Sequence, residues 1–174
     1  MKHNITIILY RSELVRCIKE MAYVVSKAGL LKGDEAAASD HKIADILDKE
    51  DGGTDGNDYL GTRTLNMAVV RLRAAVRKHA WEPAISTASH NAFSAPSEYN
   101  IHLTMETDAP KTMAQTLQEL MNRYVALSTL GEWCKLLQSE TASIYLNEAD
   151  VVMAEIKSMI NPPTGTERPL FPAW

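Results

Sequence analysis

The chain has 174 residues, 45% of them apolar, and its 18 basic and 22 acidic side chains give a net charge of −4. That apolar share can build the core of one domain, which excludes a chain disordered throughout, and the mild acidic balance argues against a general nucleic-acid binder. Two cysteines, Cys17 and Cys134, each in an apolar helical stretch, do not make a disulfide framework and fit a reducing compartment.

Residues 4–10 are rich in β-branched side chains and predict a short strand. The same apolar run is too short for a signal peptide and ends at Arg11. No stretch approaches the ~20 apolar residues of a membrane span, so no membrane partner is expected. Ser12 offers an N-cap and Glu13 a first-turn carboxylate to a helix over about 12–28, with Leu14, Ile18, Met21, Val25 and Ala28 at helical spacing and Gly29 as a stop. A weaker, acidic helix is expected over 34–50, dissolving into a loop from Asp51 to Asp58. The next helix spans about 59–80, with Leu65, Ala68, Val69, Leu72, Val76 and His79 on one face, and Pro83 closes it.

Residues 84–107 change character. Tyr99, Ile101, Leu103 and Met105 alternate with Asn100, His102, Thr104 and Glu106, the period of a half-buried strand. Residues 85–88 are the expected hairpin partner, joined through a loop near 91–97. Asp108 and Pro110 suit the start of a helix whose stripe runs Met113, Leu117, Leu120, Tyr124, Leu127, Leu130, Trp133, Leu136 and Leu137, with Gly131 as a kink. A last helix starts at Ser139 and carries Tyr145, Ala149, Val152, Ile156 and Met159 on one face until Asn161-Pro162-Pro163. Four prolines from 162 to 172 then favour an extended chain. The expected fold is mainly α: a bundle of four to five helices with a short N-terminal strand and a small β-hairpin. Residues 1–160 form a single domain with the hairpin inserted near 84–107, and 161–174 an extended Pro-rich C-terminal tail.

Charge is unevenly placed: the net is +4 over 1–33, −7 over 34–58, +4 over 59–82 and −5 over 83–174. Solvated helix faces explain such blocks; opposite-sign contacts between copies are the sharper reading. Arg71, Arg73 and Arg77, with Arg63 and Lys78, make one helix basic without forming a single tight stripe. They suit an acidic protein surface, such as the 34–58 segment of a neighbour, and direct nucleic-acid binding is not expected.

Chemical motifs are weak. Laid on the EF-hand pattern, the loop from Asp51 has Gly53 at its third position and Thr62 at its twelfth, leaving too few oxygen ligands for calcium. His41 and Asp45 share a helix face but are two ligands only, and His3, His79, His90 and His102 are scattered. Gly52, Gly53 and Gly56 precede a helix, yet Asp51, Asp55 and Asp58 would repel a phosphate. No catalytic residue, cofactor or metal is expected, and the chain reads as a binding protein, not an enzyme. The tail carries the clearest signal. Fourteen residues from Asn161 reach roughly 45 Å when extended. They end on Pro169, Leu170, Phe171, Pro172 and Trp174, apolar anchors of the kind that dock on partners. A tail folded back on its own domain is the plainer alternative.

The helical pair at 113–160, with Arg123-Tyr124-Val125 and Glu132-Trp133, precedes Arg168-Pro169-Leu170-Phe171-Pro172. It closes an order of strand, helices, small β element, helix pair and Pro-rich end. In these features the chain resembles small structural proteins of tailed phages and prophages, of the head–tail connector or adaptor type. The resemblance covers the last third well and the rest in outline, and the 84–107 hairpin departs from the nearly all-helical connectors. It implies a homo-oligomeric ring between portal and tail proteins, assembled in the host cytoplasm and ending in the virion. The family has no catalytic residues to carry over. A cellular adaptor or regulatory protein–protein binding module is the alternative.

Overall fold

The computed structural model describes residues 2–31, 56–81, 96–106, 110–136 and 141–161. In chain order these form strand β1 (Lys2–Tyr10), helix α1 (Arg11–Leu31), helix α2 (Gly56–Val76) with a 3-10 turn at Arg77–His79, strand β2 (Glu98–Glu106), helix α3 (Pro110–Leu136) and helix α4 (Ala142–Ile160). The protein is mainly helical, with one antiparallel strand pair among the described residues. The expected 34–50 helix and the 162–174 tail lie outside them.

The alternation in β2 is as the sequence predicts: Tyr99, Ile101, Leu103 and Met105 are buried. The partner of β2 is β1, in a register from Lys2↔Glu106 to Tyr10↔Glu98, while residues 85–88 lie outside the described residues. The pairing follows from the two apolar faces. Ile7 opposes Ile101 and Leu9 opposes Tyr99 on the core side, while Asn4 opposes Thr104 and Thr6 opposes His102 on the outer side.

β1 runs into α1 without a loop. The Arg11 N–H donates to the Ser97 carbonyl at 2.9 Å, which carries the strand contact one residue past Tyr10 and occupies a donor at the helix start. Ser12 therefore sits inside the first turn and not at the N-cap. Arg11 also reaches across to α2, its Nη2 donating to Thr62 Oγ1 at 3.2 Å. Helix α1 continues past Gly29 to Leu31, and α2 starts at Gly56, so Gly56 to Asp58 form its first turn and not part of a loop.

Helix α3 is the centre. It packs on α1, α2, α4 and β1, and residues 124–131 are buried without interruption. A helix that is apolar or small all round can be covered all round, and Tyr124-Val125-Ala126-Leu127-Ser128-Thr129-Leu130-Gly131 fits that rule. The buried Thr129 hydroxyl is satisfied locally, donating to the Val125 carbonyl at 2.7 Å. Leu136, expected on the apolar stripe, is exposed at the end of α3. The helix runs unbroken through Gly131. A Cβ there would lie 2.6 Å from Leu146 Cδ2, so the glycine lets α4 approach α3 closely. One core joins all six elements, from Leu9, Leu14 and Leu65 to Leu103, Met121 and Ile156.

Candidate protein-interaction surfaces

The residues expected to bind partners divide three ways. Pro169, Leu170, Phe171, Pro172 and Trp174 lie outside the described residues. Arg71 and Arg73 are engaged with their own fold. Arg71 Nη1 lies 2.7 Å from Glu132 Oε1, tying α2 to α3. Arg73 is half-buried and donates from Nη2 to the Asn100 carbonyl at 3.0 Å, tying α2 to β2. Burial lowers its pKa from the usual guanidinium value, with nearby Tyr99 opposing. Arg77, in the 3-10 turn, is exposed.

Two other surfaces emerge that the sequence did not single out. On α2 the buried face runs through Leu65, Ala68, Val69, Leu72 and Val76. The opposite face is also apolar: Met67 is 43% exposed, Val70 50%, and Ala74 is exposed beside them. Arg63, Arg77 and Lys78 flank this stripe and are exposed. On α4 the buried face runs through Tyr145, Ala149, Val152 and Ile156, while Ile144 at 60% and Val151 at 58% exposure form an outward stripe with Ala154. Asp150 and Glu155 flank it, and Lys157 is the one basic residue near its end.

Arg71 of α2 pairs with Glu132 of α3, and Glu148 of α4 pairs with Arg123 of α3. Arg123 and Glu132 are roughly two and a half helical turns apart, which puts them on opposite sides of α3. Helices α2 and α4 each pack on α3 and are tied to it by these ion pairs.

A groove of ≈ 530 Å³ lies between α1 and α3, lined by Glu13, Arg16, Cys17, Gln118 and Asn122 among others. Asn122 Nδ2 donates to Glu13 Oε2 at 3.4 Å, and its Oδ1 is buried without a hydrogen-bond partner among the described residues. Cys17 on the groove wall is a poor nucleophile. Burial, then Glu20 and Glu13, raise its pKa against the opposing effect of Arg16 and keep the thiol protonated at neutral pH. Across the outer face of the strand pair, Trp81 packs edge-on against His102, ring centroids 5.1 Å apart. His102 Nδ1 lies 3.0 Å from Thr6 Oγ1.

Among the described residues, no cluster of His, Cys, Asp or Glu could hold a metal ion, and no helix is long and apolar enough to cross a membrane. The His41–Asp45 pair lies outside them. Comparison with protein-family models, with curated proteins and with solved structures gives no match. The functional reading therefore rests on the surfaces themselves.

Proposed function

We propose that the chain is a non-enzymatic structural subunit of a tailed-phage particle, a head–tail connector or adaptor that forms an oligomeric ring and docks on a portal or tail protein through its extended end. The observation that carries the reading is that two helices of the body each expose an apolar stripe. Helices α2 and α4 both pack on α3, and each turns an apolar stripe outward. A subunit in a ring needs two such faces, one for each neighbour, whereas a monomer working alone gains nothing from exposing Val70, Ile144 and Val151. The Pro-rich end supplies the third contact: Leu170, Phe171 and Trp174 are anchors, and prolines lower the cost of ordering an extended segment. No cofactor enters this reading, and the assembled protein belongs in the virion.

Electron microscopy of the chain expressed with portal and tail proteins tests the proposal. Rings at the portal–tail junction are the expected result. A chain ending at Asn161 should keep the thermal midpoint of the full protein and fail to dock. A strictly monomeric protein that ignores both partners would sink the proposal. The groove between α1 and α3 favours a second reading, a cellular adaptor or regulatory module, since one concave polar site suits a single partner. That reading expects a one-to-one complex and no ring.

A further inference from the structure

We infer that α2 of one copy docks lengthwise on α4 of the next, through an apolar seam with basic residues on one side and acidic residues on the other. The inference rests on the reading above only in requiring that copies of the chain meet. Met67, Val70 and Ala74 follow one another at helical spacing, and so do Ile144, Val151 and Ala154. Both helices are ~30 Å long, so the two stripes can match over their full length.

Charge selects the pairing. The α2 stripe is flanked by Arg63 and Arg77, and residues 61–79 contain no acidic side chain. The α4 stripe is flanked by Asp150 and Glu155. An α2–α2 contact would oppose basic faces and an α4–α4 contact acidic ones, so two-fold dimers through either stripe are disfavoured. The α2–α4 contact opposes unlike charges and is head-to-tail. Such contacts propagate from copy to copy, closing into a ring or continuing as a filament. The Arg71–Glu132 and Arg123–Glu148 pairs hold both faces to α3, which fixes the angle at which they are presented.

Charge inversion tests the pairing. Arg63→Glu with Arg77→Glu, or Asp150→Lys with Glu155→Lys, should weaken self-association about tenfold in low salt, read by sedimentation velocity. All four positions are exposed, so circular dichroism should show an unchanged fold. Mixing the two variants, or placing all four changes in one chain, should restore assembly, because every junction again opposes unlike charges. Val151→Ser should weaken it with no change in charge. Wild-type protein that stays monomeric overturns the inference, and so does self-association indifferent to these changes. In the latter case the structural-subunit reading survives through another face; in the former it is decided by the portal and tail experiment.

Discussion

At Gly131 a single methyl group decides how closely α3 and α4 lie. Gly131→Ala gains ~1 kcal/mol of helix propensity but sets a Cβ 2.6 Å from Leu146 Cδ2 and 3.3 Å from the Leu146 backbone nitrogen. The side chain can turn away; the backbone cannot. Overpacking of this kind costs ~1–3 kcal/mol, so the variant should lose about 1 kcal/mol in urea unfolding. Leu146→Ala in the same chain should make the combined loss smaller than the sum. In the sequence a glycine within a helix reads equally as a hinge or as a site of close approach, and only the neighbouring helix distinguishes them. Tyr99 shows a second residue-level effect. Its hydroxyl donates to Asn66 Oδ1 at 2.6 Å, and burial raises its pKa, with Arg11 and Arg73 opposing. The native phenol resists ionisation, so its contribution is intact below about pH 10 and is lost as pH rises from there toward the native pKa. Tyr99→Phe should cost ~1–2 kcal/mol at neutral pH and flatten the alkaline decline in urea midpoints. Some slope should remain from Tyr124, whose pKa burial also raises. Wild-type stability that does not fall above pH 10 would contradict this.

The elements themselves were largely legible, because period reports the buried face directly. The period-two run in β2 names the side chains found inside, and the 3.6-residue runs in α2 and α4 do so except at His79, in the 3-10 turn, and Met159, both half-buried. Pairing was not legible. A strand's alternation shows that it has a covered face and says nothing about which distant strand lies beside it. β2 has its partner about a hundred residues earlier in the chain. The two strands therefore support each other as one unit. Ile7→Ala should cost ~2–4 kcal/mol, and hydrogen exchange should show amides of β2 losing protection together with those of β1. Ile8→Ala, on the outer side, should cost under ~1 kcal/mol. Equal costs at the two positions would mean that the register is wrong.

For the whole molecule, the partner-binding surface was legible only in part. The basic character of α2 stands out in the sequence, but Arg71 and Arg73 turn out to be engaged by Glu132 and the Asn100 carbonyl. Met67, Val70, Ile144 and Val151 escaped notice because apolar residues on the second side of a helix look like a broader core stripe. Which side is covered depends on how many neighbours a helix has. Helix α3 has them on all sides over residues 124–131; α2 and α4 each leave a face in solvent.

The long separation between β1 and β2 also has a consequence during synthesis. At ribosomal speeds of ~5–20 residues per second, β1 leaves the tunnel roughly 5–20 s before β2 has been made. Throughout that interval Ile5, Ile7 and Leu9 have no strand to pair with, and the growing polypeptide carries an uncovered apolar segment. Contacts between such distant segments also slow folding. High expression would therefore place this chain among those that depend on chaperones to shield the first strand until its mate arrives.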